Sequence, residues 1–134
     1  MKVILNKCYG GFGVSEKAYR LYAKKKGIDL YLYVWEYGKR HRKIEHDDGR
    51  HTVYYFTKDF GEEVYFQKED WDYHLYLDCA RREDKALIEC VEELGASADG
   101  PYARLVVVDI PDGMKYVIDD YDGWETLHEK VREW

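Results

Sequence analysis

The residues best equipped for chemistry lie in the opening segment, Asn6-Lys-Cys-Tyr-Gly-Gly-Phe-Gly-Val-Ser15. Gly10, Gly11 and Gly13 free the backbone to take positive φ and to approach a ligand closely. Ser15 caps a helix whose first N–H groups favour an anion, usually a phosphate or carboxylate. The spacing matches neither GxGxxG nor GxxxxGK[ST], so it names no ligand, and a plain strand-to-helix turn is the alternative reading. Asn6, Cys8, Tyr9 and Phe12 place a carboxamide, a thiol and two rings around the glycines. No His–Asp pair can be set beside Cys8 from sequence, so a nucleophilic role for the thiol is not expected.

A second concentration of functional groups is Asp119-Asp-Tyr-Asp-Gly-Trp-Glu125. It lacks the calcium-loop spacing and reads as an acidic turn in which Asp122 caps a final helix. On that helix His128 and Arg132 stand at i, i+4 and would lend a hydrogen-bonding ring and a cation to a pocket edge. His41, His46 and His51 share no helical face and read as part of a solvated, charged hairpin, not a metal site. The basic run Lys39-Arg-His-Arg-Lys43 reads as a solvated turn that could also clamp a phosphate. No Ser–His–Asp order, HExxH or nucleophile elbow is present. Enzyme activity is therefore unsupported, and neither a cofactor nor a metal is expected.

Certain elements must position these groups. Residues 2–6 read as a strand and 16–26 as an amphipathic helix with Lys24-Lys-Lys26 at its negative end. Four aromatic-rich strands follow at 30–37, 51–57, 63–67 and 73–77, with Asp48-Gly49 as a hairpin turn between the first two. Eleven of the 14 tyrosines precede residue 79, which points to a sheet with one wet face in this block. A second helix is expected at 83–94, with Leu87, Val91 and Leu94 as its stripe. The most apolar segment, 102–110, predicts a buried central strand over 102–109, and 116–119 a short returning strand. Trp124, Leu127, Val131 and Trp134 step by three and four, which predicts a docked helix over 124–134. The expected class is a single α+β domain over 1–134, with a mixed or antiparallel sheet and about three helices.

At 134 residues the chain suits one domain, and no run of 18 apolar residues or basic-apolar leader points to a membrane or to secretion. Three cysteines without a CxxC pair fit a reducing cytoplasm. With 21 basic against 27 acidic residues the net charge is −6, which disfavours general nucleic-acid binding. An acidic surface suits a basic protein partner instead. The tyrosine-rich strands predict self-association as a homo-oligomer.

The segments Lys2–Ser15, Val91-Glu-Glu-Leu-Gly95, Ile110-Pro-Asp112 and Ile118–Glu125 resemble a family of small tailed-phage and prophage proteins, uncharacterised in function, with a KCYGGFG-type opening and an IPD…YDGxE close. The resemblance covers about residues 1–28 and 80–134 and leaves 38–74 as a variable insertion. A phage setting implies an anti-defence protein that binds and sequesters a small nucleotide immune signal, such as a cyclic dinucleotide or an ADP-ribose derivative, without catalysis. Its expected ligand-binding residues are Asn6, Cys8, Tyr9, Gly10, Gly11, Phe12, Ser15, His128 and Arg132, in the cytoplasm of the infected cell. Two alternatives stand beside it. One is an acidic inhibitor of a host defence nuclease; the other is a nucleotide-degrading enzyme using Asp119, Asp122, Glu125 or His128.

Overall fold

The computed structural model describes residues 1–130. It is an α+β fold whose strand pairings are all antiparallel. The chain divides into two compact units, one of residues 1–22 and 77–134, the other of residues 23–76.

In the first unit, β1 (Lys2–Asn6) pairs with β7 (Leu105–Asp109), Lys2 facing Asp109 and Asn6 facing Leu105. The following turn leads into α1 (Glu16–Lys26), and Ser15 Oγ accepts from Ala18 N–H at 3.3 Å as expected of a cap. The second helix, α2 (Lys85–Leu94), is capped by Asp84, which accepts from Ala86 and Leu87 N–H. Its C-terminus closes on Gly95 at φ 57°. Val3, Leu5 and Ile110 form a core on one face of the β1–β7 pair. Tyr116, Ile118 and Leu127, from a hairpin of β8 (Tyr116–Tyr121) and β9 (Trp124–Glu129), pack on it.

The final helix expected over 124–134 is overturned as far as the described residues reach, where that hairpin takes its place. Asp122 and Gly123 take φ of 50° and 91°, so they form a two-residue hairpin turn in place of a helix cap. Beyond the turn, burial alternates along Trp124-Glu-Thr-Leu-His-Glu129 with a period of two, and that wins over the three-and-four spacing of the apolar residues. Val131, Arg132 and Trp134 lie outside the described residues. The expected central strand is also corrected. Strand β7 begins only at Leu105 and has β1 as its single partner, and Leu105 alone within it is buried.

The second unit holds the central strand instead. A five-stranded sheet runs in the order β5-β3-β2-β4-β6, from β2 (Tyr31–Tyr37), β3 (Arg40–Ile44), β4 (Val53–Phe56), β5 (Glu63–Tyr65) and β6 (His74–Leu75). The charged stretch expected as a solvated hairpin therefore contributes β3, and the β2–β3 turn falls at Gly38, φ 58°. Asp48-Gly49 does turn the chain, Asp48 accepting from Arg50 and His51 N–H. It lies on a connection that crosses β2 to reach β4, not in a tight hairpin. His41, expected in solvent, is buried under aromatic rings, where its alternation with Arg40 and Arg42 along β3 directs it. The basic run is neutralised locally: Arg40 and Arg42 pair with Glu36, and Lys43 with Asp59 at 2.5 Å.

Candidate functional site

Strand β1 has a partner strand on one edge only, so its other edge needs donors and acceptors from elsewhere. Side chains and a loop carbonyl supply them. Ile4 N–H donates to Arg82 O at 2.9 Å, and Arg82 Nη1 donates back to Ile4 O at 2.9 Å. Asn6 N–H donates to Glu125 Oε1 at 2.8 Å. The Arg82–Glu125 ion pair, 2.8 Å between Nη2 and Oε2, thus stands where a third strand would lie. Burial disfavours the charge on Arg82, yet Glu125 outweighs it and holds the guanidinium above its ordinary value. Arg82 also sits over the Phe12 ring at 5.6 Å.

Asn6 is fully buried, and both ends of its carboxamide are occupied. Its Nδ2 donates to Cys8 O and Gly123 O at 2.9 and 2.7 Å, and its Oδ1 accepts from Arg104 N–H at 2.9 Å. This one side chain ties the glycine turn to the hairpin turn. The two turns meet backbone to backbone: Gly10 N–H donates to Asp122 O at 2.9 Å. A methyl at Gly123 would overlap Gly10 N at 2.7 Å and Gly11 Cα at 2.8 Å. A methyl at Gly10 would strike Tyr102 Cβ at 2.7 Å, and one at Gly100 would strike the Gly13 carbonyl carbon at 2.8 Å. The glycines at 10, 100 and 123 are therefore required by packing within the protein.

What faces outward is aromatic. Tyr9 lies 5.4 Å from Trp124 and 6.4 Å from Tyr121, centroid to centroid. Tyr9, Tyr121 and Trp124 expose 57, 77 and 37% of their surface, although ring clusters of this size usually bury themselves. Tyr121 faces Trp124 across the hairpin, and Asp119, Thr126 and His128 continue the same face. His128 Nε2 pairs with Asp119 Oδ2 at 2.8 Å and lies 3.4 Å from Thr126 Oγ1. Because one ring nitrogen serves both contacts, this trio does not relay a proton from hydroxyl to carboxylate through the imidazole, as a catalytic triad must.

The structure thus brings Tyr9, Gly10 and His128 to one face and places the other expected residues elsewhere. Asn6 lies beneath, Phe12 lies under Arg82, and Ser15 holds the start of α1 while its Oγ donates to Ser97 O at 2.6 Å. Cys8 is half-buried with its thiol toward Tyr9 O. Gly11, at φ 119°, has open space where a side chain would go. Arg132 lies outside the described residues. Sequence reasoning missed Tyr121 as a partner of Tyr9, and Arg82 as the partner of Glu125. An Asp-Gly pair between two alternating segments is a hairpin signal that would have found the rings. A separate groove of about 360 Å3 is lined by Met1, Lys2, Glu83, Ile88, Glu89 and Glu92. Among the described residues no group of three or more His, Cys, Asp or Glu could hold a metal ion, and no helix is long and apolar enough to cross a membrane. No family model, curated protein or solved structure matches the chain.

Proposed function

We propose that the protein is a non-catalytic binding protein, phage-encoded, that captures a small nucleotide signal on the aromatic face shared by the glycine turn and the β8–β9 hairpin. The exposed Tyr9–Trp124–Tyr121 cluster carries this reading. A nucleobase stacks on such rings with about 1–3 kcal/mol per base. Thr126 and His128 on the same face offer a hydroxyl and a ring nitrogen for polar edges. The phosphate half of the expectation has less support, because Gly10 N–H already serves Asp122 and Ser15 already serves the helix start. Recognition therefore rests chiefly on the base. Sequestration takes place in the infected cell's cytoplasm, by a homo-oligomer.

The second reading, an acidic inhibitor of a defence nuclease, is favoured by Asp119 and Asp122 beside the rings and by the net charge of −6. Calorimetry against cyclic dinucleotides and ADP-ribose isomers separates the two. Tight one-to-one binding that is lost in Tyr9→Ala supports capture of a nucleotide. A parent that binds no member of the panel, yet retains a defence nuclease from host lysate, supports the inhibitor.

A further inference from the structure

The aromatic face of the five-stranded sheet contains two imidazoles where only hydrocarbon is expected. His41 lies 4.9 Å from Phe66, 5.6 Å from Tyr54 and 6.2 Å from Trp71. His74 lies 5.3 Å from Phe56, 5.3 Å from Trp71 and 5.7 Å from Tyr76, the last pair stacked. Trp71 is carried by a two-turn 3-10 helix (Lys68–Tyr73) that has no buried residue of its own. It touches the sheet through the two imidazoles and through Tyr54, Phe56 and Phe66.

We propose that Trp71 and its 3-10 helix form an acid-released latch, held down while His41 and His74 are neutral and freed when both take up protons. Within the protein the ring nitrogens have few partners for an added charge: His41 Nδ1 lies 3.4 Å from Lys39 O, and no carboxylate bonds either imidazole among the described residues. The charged groups on the surrounding elements are unequal. Lys39, Arg40, Arg42 and Lys43 flank His41 on its own strand, β2 brings Glu36, and β5 brings Glu63. Those two carboxylates are already paired with Arg40. The segment after β4 brings Lys58, which lies over Phe60 and Tyr73. The 3-10 helix brings Lys68, Glu69, Asp70 and Asp72, with Asp70 occupied by Gln67 N–H. Tyr54 and Tyr76 add neutral phenols.

Burial holds both imidazoles below the ordinary value of 6.5. The sign follows. Neutral histidine is the form the fold keeps, so the contacts are intact above pH 6.5 and weaken as pH falls from 6.5 toward the lowered values.

The test is fluorine resonance of the full-length protein labelled with fluorotryptophan, with the Trp71 signal assigned by Trp71→Phe. The Trp71 signal is expected to move toward that of free fluorotryptophan below pH 6.5, while the Trp124 signal stays in place. The two imidazole C2–H signals should titrate with the same midpoint as Trp71. In His41→Phe/His74→Phe the Trp71 transition should vanish. A Trp71 signal constant through that acid range overturns the latch. So does a transition whose midpoint differs from those of both imidazoles, a measurement made without the double-histidine variant.

Discussion

The two units keep their cores in opposite ways. The first closes the open edge of β1 with a buried ion pair and a saturated asparagine, so its stability depends on direction: Arg82, Glu125 and Asn6 each have definite partners at 2.7–3.1 Å. The second packs Tyr33, Phe56, Phe60, Phe66 and Trp71 at centroid distances of 4.4–6.4 Å, contacts that depend mainly on volume. A core built on direction fixes the backbone of two turns to within a hydrogen bond, and with it the arrangement of Tyr9 and Trp124. A core built on volume tolerates exchange of one ring for another, and it can hold an imidazole as readily as a phenyl.

Breaking the ion pair should have the largest effect. Glu125→Ala leaves Arg82 buried without its partner and should cost about 3–5 kcal/mol in chemical denaturation. Replacing both residues by Met removes the stranded charge but leaves Asn6 N–H and Ile4 O without partners, so it should recover only part of that loss. If Glu125→Ala costs under about 1 kcal/mol, the pair is not what closes β1. Gly123→Ala should come next. Its φ of 91° and its overlap with Gly10 and Gly11 combine backbone strain with crowding, together about 2–4 kcal/mol. Gly11→Ala, with strain but open space, should cost less than Gly123→Ala by the same denaturation assay.

The second unit should answer differently. Phe66→Met keeps most of the volume and should cost less than about 1.5 kcal/mol, measured by near-ultraviolet dichroism through denaturation. A loss as large as that of Glu125→Ala would erase the contrast between the two cores. The smallest effect expected is alkaline. Tyr22 and Tyr116 are pushed up to about 12, first by burial and then by hydrogen bonds to Asp84 and Glu83. Their phenols ionise at about 10 when unfolded, so stability is unaffected below that pH and falls from there toward 12. Phenolate absorbance should show Tyr22 and Tyr116 titrating late, together with Tyr33, which burial also raises, and Asp84→Asn should bring Tyr22 forward.

Much of the scaffold was legible because local chemistry and fold agree. Ser15 and Lys24–Lys26 mark α1, the stripe of Leu87, Val91 and Leu94 marks α2, and the aromatic segments mark four of the five strands of the second unit. Three features were hidden. Strand β3 reads as a charged loop because its cations are neutralised by Glu36, Asp59 and Glu63, partners known only once β2 and β5 are paired. The last hairpin reads as a helix because the spacing of Trp124 and Leu127 continues in sequence at helical steps, while the turn chemistry of Asp122-Gly123 says otherwise. Glu125 reads as one more acidic turn residue, since its partner Arg82 is 43 positions away. For the candidate site, the glycines and Tyr9 were visible, but the cluster they belong to depends on the hairpin and could not be assembled without it.

The central claim is that Trp124 and Tyr9 form a nucleotide-binding face supported from beneath by Asn6 and Glu125. It is tested most directly by calorimetric titration of cyclic dinucleotides and ADP-ribose isomers into the parent and into Trp124→Ala, with circular dichroism establishing that both are folded. The parent should bind at least one of these ligands in a one-to-one complex, and Trp124→Ala should bind it at least tenfold more weakly, the loss of about 1.4 kcal/mol or more expected for a stacked base. A parent that binds none of them, or a folded Trp124→Ala that binds as tightly as the parent, would contradict the claim.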